Sequence, residues 1–356
     1  MPSRKFDPKA AIEKELKDTS AAESVGMLTI KTANRAVNDS ITRPDPKELF
    51  MEFWYEGEVS CLFSDSNLGK SIFAVQIAEH IARMQPVLYV DCELSEKQFQ
   101  LRYTDTETQH RHIFPPKLFR AEIDPMRMDM NNYEENILRD IEATMLFLHC
   151  RCAIIDNLGY LCNSTDKGVD AGAFMIRLTQ LKKKHEWSIL VIAHTPKRSL
   201  ASHLEQNDLA GSKRLFNYFD SVFAIGRSCK DRKLRYVKQL KVRAGAFRYD
   251  ADNVLIYEIV KTEGFTHLEL KGYSTEAEHL KEPTERDNKA LREQIAALRT
   301  RGYSIRAMEG MLGISKSAIG RIVRKLEDEK LVPARDDLGQ ADDLGQDHYE
   351  GDEDDD

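Results

Sequence analysis

The sequence predicts an α/β fold: a mostly parallel sheet covered by helices, with antiparallel strands appended and a small all-α domain after it. Three observations carry this. Through residues 45–274, short apolar β-branched runs alternate with helix-patterned stretches, the signature of βαβ units. Three later strand-like runs follow one another with no helix between them, as antiparallel strands do. Residues 288–335 then show only helical spacing.

The elements follow in order. Strands are expected at 59–63, 87–90, 152–155, 189–193 and 221–225, separated by helices at 71–84, 133–149, 170–186 and 209–219. The appended strands are expected at 234–242, 254–259 and 265–270. Residues 1–44 are polar, with Phe6 their one aromatic, and read as a flexible arm. Residues 275–287 read as a polar linker, and the acidic stretch 336–356, with its doubled Asp-Asp-Leu-Gly-Gln, as a disordered tail.

With 356 residues, 41% of them hydrophobic, the chain has material for two or three domains with a sizeable core. The longest strongly apolar run, 188–193, is far below the roughly 18 residues that span a bilayer. Residues 1–30 have no apolar block of the signal-peptide kind. Six cysteines without a C-x-x-C pair suggest reduced thiols and a cytoplasmic protein. Cys150 and Cys152 have no partners at zinc spacing. The net charge of -7 argues against nucleic acid until its distribution is examined. Residues 336–356 hold 11 acids and no Lys or Arg, so residues 1–335 carry 52 basic against 48 acidic side chains. Residues 281–335 carry 13 against 8.

The first strand runs into Ser64, Asp65, Ser66, Asn67, Leu68, Gly69, Lys70 and Ser71. This is the spacing of a phosphate-binding P-loop, with Ser64 where the pattern has its first Gly. Gly69 permits close backbone approach, Lys70 neutralises phosphate, and the Ser71 hydroxyl suits Mg²⁺. An amphipathic helix carrying Ile72, Val75, Ile77, Ala78 and Ile81 follows, as a P-loop requires. The pattern therefore predicts ATP and Mg²⁺ as ligands.

In open parallel sheets, ligands bind beyond the carboxyl ends of the strands. The second strand ends at Asp91 and Glu93, the third at Asp156 and the fourth at His194. Glu93 is placed to polarise a water, Asp156 to support Mg²⁺, and His194 to contact the terminal phosphate.

Together these segments resemble the RecA-like ATPases, and within them the DnaB/RepA-type hexameric helicases of plasmids and mobile elements. Residues 87–94 look like the helicase strand that ends in the catalytic Glu, residues 153–157 like the Walker B strand, and residues 192–198 like the sensor strand. Residues 239–245 are similar to the Lys-x-Arg-x-Gly hairpin that reaches the neighbouring subunit's nucleotide. The resemblance implies that Lys241 and Arg243 act in trans, that the protein is a homo-oligomer with a hexamer as the family's ring, and that 208–213 belongs to a DNA-facing loop. It covers residues 45–270.

Farther on, Leu291, Ile295 and Leu298 share a helical face, as do Ile305, Met308 and Leu312, and as do Ala318, Ile319, Ile322, Val323 and Leu326. The three helices resemble a helix-turn-helix, with Lys316, Ser317, Arg321 and Arg324 left outward to bind DNA. Glu309 stands where such motifs usually carry a small apolar residue. The expected function is a DNA-associated ATP-hydrolysing motor, a helicase or translocase in replication or mobilisation. The alternative is a nucleotide-switched DNA-binding regulator or partitioning adaptor. A small-molecule kinase is disfavoured, because no lid or acceptor motif is recognisable. The acidic tail is expected to compete with DNA for the basic module or to engage a basic partner.

Overall fold

A computed structural model describes residues 23–161, 169–195, 199–209, 213–281, 285–312, 314, 316–329 and 331–333. The acidic tail, residues 210–212 of the loop 208–213 and residues 196–198 lie outside these. The chain divides into two compact units, 1–47 and 48–356.

In the first unit, β1 (Glu23–Val25) and β2 (Leu28–Ile30) pair antiparallel. The turn uses Gly26 at φ 58°, a left-handed conformation glycine adopts without steric cost. Helix α1 (Ala33–Ile41) is capped by the Thr32 side chain, which accepts from the Arg35 N–H, and it buries no side chain. Local capping and the Lys31–Asp39 ion pair at 2.8 Å give this segment regular structure where composition alone predicted a flexible arm.

The second unit opens with a small ribbon, β3 (Glu48–Phe50) and β4 (Trp54–Tyr55). Then come β5 (Val59–Ser64), α2 (Lys70–Ala82), β6 (Val87–Asp91), α3 (Glu96–Arg102), β7 (Leu118–Glu122), α4 (Tyr133–Phe147), β8 (Cys152–Asp156), α5 (Leu158–Leu161) and α6 (Val169–His185). They are followed by β9 (Ser188–His194), α7 (Lys213–Tyr218), β10 (Ser221–Arg227), β11 (Leu234–Lys241), β12 (Val254–Thr262) and β13 (Phe265–Ser274). The main sheet has the order β13-β12-β11-β10-β5-β9-β8-β6-β7. From β10 to β7 all neighbours are parallel; β11, β12 and β13 add on antiparallel. The mostly parallel sheet with an antiparallel extension is the architecture the sequence predicts.

Alternate residues of the central strands feed two separate cores, one on each face. Cys61, Phe63, Val191 and Ile155 meet α4 and α6, while Leu62, Ile192 and Ile154 meet α2 and the β3–β4 ribbon. Burial on both faces explains why these strands are continuously apolar rather than alternating. On the α2 side, Phe53 stacks on Phe223 at 4.9 Å and Phe73 meets Tyr257 at 5.5 Å.

Three expectations are corrected. The edge strand β7 is absent from the sequence reading, because its Arg120 and Glu122 interrupt the apolar pattern; it is held to β6 by backbone pairing and by the Arg120–Asp91 ion pair at 2.8 Å. The helix expected over 209–219 is Lys213–Tyr218, and Leu209 instead follows a 3₁₀ turn, Gln206–Asp208. The polar linker begins with a 3₁₀ turn, Glu276–His279, that is packed against the domain. Glu276 is fully buried, accepting from the Lys238 ammonium, from the Leu204 N–H at 2.7 Å and from His203 at 2.8 Å. A buried ion pair overrides composition there, since each charge needs the other.

The C-terminal helices are α8 (Glu285–Thr300), α9 (Ile305–Leu312) and α10 (Lys316–Asp328), and α8 begins inside the stretch read as linker. Their core is Ile295, Met308, Ile319, Val323, Leu326 and Val332.

Removing one member of the buried Lys238–Glu276 pair strands the other. Glu276→Ala is expected to destabilise the second unit by about 3–5 kcal/mol, read as a lower urea midpoint; a change within 0.5 kcal/mol would show that the pair is not holding this turn.

Candidate nucleotide site

The site is built on the turn from β5 into α2. The left-handed positions are Asn67 at φ 62° and Gly69 at φ 96°. Ser64 is the last residue of the strand, fully buried, and its hydroxyl donates to the Asp65 carbonyl at 2.9 Å. The first loop position therefore makes no demand that only Gly meets. Gly69 does: a Cβ there would come 2.9 Å from the Ile259 side chain on β12, in a backbone conformation that side chains resist. Gly69 is followed directly by Lys70, whose ammonium donates to the Ser64 and Asp65 carbonyls at 2.9 and 3.0 Å. Burial pushes the Lys70 ammonium below its ordinary range, opposed by the charges of Asp156 and Glu93.

Sheet register places the other expected residues beside this turn. Ser64 pairs with His194 on β9, Ile192 of β9 with Asp156 on β8, and Asp156 with Asp91 on β6. Asp156, Glu93 and His194 thus line one cleft of about 610 Å³ with Ser66, Asn67, Gly69, Lys70 and Ser71. Asp156 is buried; its carboxylate accepts from Tyr89 Oη at 2.7 Å and from Ser71. Burial pushes its carboxyl up, and those two hydrogen bonds oppose the shift. Asp91, the other acid at that strand end, is structural: it accepts from the Glu93 and Leu94 N–H groups at 3.1 and 2.9 Å and pairs with Arg120.

The residues fit a Mg²⁺ ion. Among the described residues no cluster of three His, Cys, Asp or Glu forms a metal cage, but Mg²⁺ takes one or two protein oxygens and completes its shell with phosphate and water. The Ser71 hydroxyl and the Asp156 carboxylate, bonded to each other beside Lys70, are oxygens of that kind.

Sequence reasoning missed several cleft residues. Arg102, at the end of α3, lines it with a buried Nη1 that has no hydrogen-bond partner. Tyr160 and Ile259 come from α5 and β12. Asn157 contacts both Glu93 and His194. Only Asn157, next to Asp156, stood at a position the sequence marks.

Lys241 and Arg243 are elsewhere. Lys241 pairs with Val222 at the amino end of β10, whereas Ile225, farther along β10, pairs with Ser64. Lys241 Nζ donates to the Phe216 and Asn217 carbonyls, both at 3.3 Å, and Arg243 pairs with Asp220 at 2.6 Å. Neither lines its own chain's cleft. The α10 residues Lys316, Ser317, Arg321 and Arg324 are all exposed. Glu309 has a local role: it accepts from the Lys316 N–H at 3.1 Å, at the first turn of α10, where a carboxylate is favourable.

Residues 29–199 match a protein-family profile described as an AAA domain, a span that holds Ser64 to Ser71, Glu93, Asp156 and His194 and stops before Lys241 and the C-terminal helices. No curated protein matches the chain. The matched span, the sheet and the phosphate-binding turn support a P-loop ATPase domain of RecA-like type. Among the described residues no helix is long and apolar enough to cross a membrane.

Gly69→Ala forces a side chain into the left-handed turn and against Ile259. Nucleotide affinity is expected to fall at least about tenfold, a loss of some 1.4 kcal/mol, with unchanged circular dichroism; titration with a fluorescent ATP analogue measures it, and unaltered binding would contradict this geometry.

Proposed function

We propose that this chain is the subunit of an oligomeric, DNA-associated ATPase motor: a helicase or translocase of the DnaB/RepA type, serving replication or mobilisation of a plasmid or mobile element. The observation that carries the ATPase part is the single cleft in which Lys70 and Ser71 face Asp156, Glu93 and His194.

In this reading the loop N–H groups and Lys70 hold the β- and γ-phosphates of ATP. A Mg²⁺ ion held through Ser71 and Asp156 supplies neutralisation of phosphate oxygens when bound. Glu93 takes the proton of a water whose oxygen bonds to the γ-phosphorus. The bond from that phosphorus to the bridging oxygen breaks, and ADP and phosphate leave. His194 faces the γ-phosphate. Lys241 and Arg243 sit away from their own cleft, which is what residues serving a neighbouring subunit's nucleotide require; Arg243 would exchange Asp220 for phosphate. The exposed cations of α10 supply contacts to the DNA backbone.

That same basic face favours a second reading, a nucleotide-switched DNA-binding regulator without motor activity. A forked-duplex unwinding assay decides between them. ATP-dependent unwinding, lost in Lys70→Ala and in Arg243→Ala, is the expected outcome. Nucleotide binding that alters duplex affinity without turnover would establish the regulator instead.

DNA contact is tested separately. Arg321→Ala combined with Arg324→Ala is expected to reduce the slope of log affinity against log salt by about two. An unchanged slope in fluorescence anisotropy would remove α10 from the DNA interface.

A further inference from the structure

Asn157 sits one residue beyond the end of β8, and its side chain reaches both flanking strand ends. Glu93 lies two residues beyond Asp91 on β6, and His194 two beyond Ile192 on β9, where Asp91 and Ile192 are the register partners of Asp156. Asn157 is 1% exposed, so its amide has no solvent to satisfy it. Its Oδ1 accepts from the Gly159 N–H at 2.9 Å, which fixes the orientation of the amide: Nδ2 must be the atom facing the cleft. Nδ2 donates to Glu93 Oε1 and lies 2.9 Å from His194 Nε2.

An amide nitrogen has two N–H groups and no acceptor lone pair. With one N–H on Glu93, the other meets His194 Nε2, which must then be unprotonated and accepting. The ring proton belongs on Nδ1. The Glu93 carboxyl lies below its ordinary range, with His194 as the first cause and Lys70 and Arg102 adding to it, but Nε2 is 3.4 Å from Glu93 Oε1 and nearer the amide, at 2.9 Å, where its own proton would point at Nδ2. That would set an N–H against an N–H, which is repulsive.

We infer that Asn157 is a positioning residue that clamps Glu93 and His194 through the two N–H groups of one amide, holding the imidazole in its Nδ1-protonated form. This rests on the reading of Glu93 as the water-activating carboxylate. Without the clamp, Glu93 is a half-exposed side chain free to rotate away, and misplacement of about 1 Å in such a group costs on the order of 10²-fold in rate. The clamp also makes the two residues move together. If His194 follows the γ-phosphate, its displacement is passed to Glu93 through a single rigid amide.

The simpler role for Asn157 is to cap the short helix α5, and the test separates the two. Ser and Asp both retain an oxygen for the Gly159 N–H but lack the Nδ2 donor. Asn157→Ser is expected to lower kcat for ATP about 10- to 100-fold, with KM within twofold and an unchanged melting temperature. Asn157→Asp is expected to be lower still, because a carboxylate would face Glu93. Long-range ¹H–¹⁵N spectra of the imidazoles, with His194→Gln for assignment, should show His194 Nε2 unprotonated in the wild type. A wild-type kcat in Asn157→Ser, or a neutral His194 protonated at Nε2, overturns the inference. Glu93→Gln separates its failure from that of the underlying reading. If Glu93→Gln is inactive while Asn157→Ser is fully active, only the clamp is wrong. If Glu93→Gln itself turns over ATP at the wild-type rate, the role of Glu93 fails and the clamp with it.

Discussion

Parallel pairing of β5, β9, β8 and β6 in one register is the constraint on which the rest of the structure depends. It delivers four chain segments side by side at one edge of the sheet, each turning out of a strand at nearly the same level. A side chain within two residues of any of these strand ends is then within reach of the next. Register is held by the alternation of inward residues on each face, since a slip of one position would exchange the α4–α6 core for the α2 core on that strand. The apolar residues that look least concerned with function thus set the spacing of Lys70, Asp156, Asn157, Glu93 and His194.

Buried charge in this protein is handled by local pairing. Lys70 rests on backbone carbonyls, Asp156 on Tyr89 and Ser71, Asp91 on Arg120, and Lys238 on Glu276. Asp220 accepts from the Val59 N–H and pairs with Lys182 and Arg243, tying α6 and the segment beyond β11 to the start of β5. Each group that lacks such support in the sequence acquires it from a segment far along the chain.

The repeating parts were legible because they obey short-range rules. Five of the six parallel strands, the antiparallel extension and the inward positions of the three C-terminal helices all follow from apolar spacing, and the phosphate-binding turn from its Gly-Lys-Ser. The strand β7 was not legible, because its place depends on Arg120 meeting Asp91 rather than on its own apolarity. The buried turn at Glu276 was hidden for the same reason: a run of Thr, Glu, Ala, Glu and His has the composition of a linker until Lys238 is brought against it. Arg102 carries no mark in the sequence at all, since only the path of α3 turns it toward the cleft.

By itself the sequence determined the fold class, the phosphate-binding turn and the acidic and imidazole residues at the strand ends, because backbone geometry and side-chain periodicity act over a few residues. Tertiary structure decided which of those residues are neighbours. It set Asp91 aside as a structural acid, kept Lys241 and Arg243 out of their own chain's cleft, and brought Asn157 between Glu93 and His194. Those outcomes depend on sheet order and register, which join residues as far apart in the chain as Ser60 and Ser221 and so leave no trace in any local stretch of the chain.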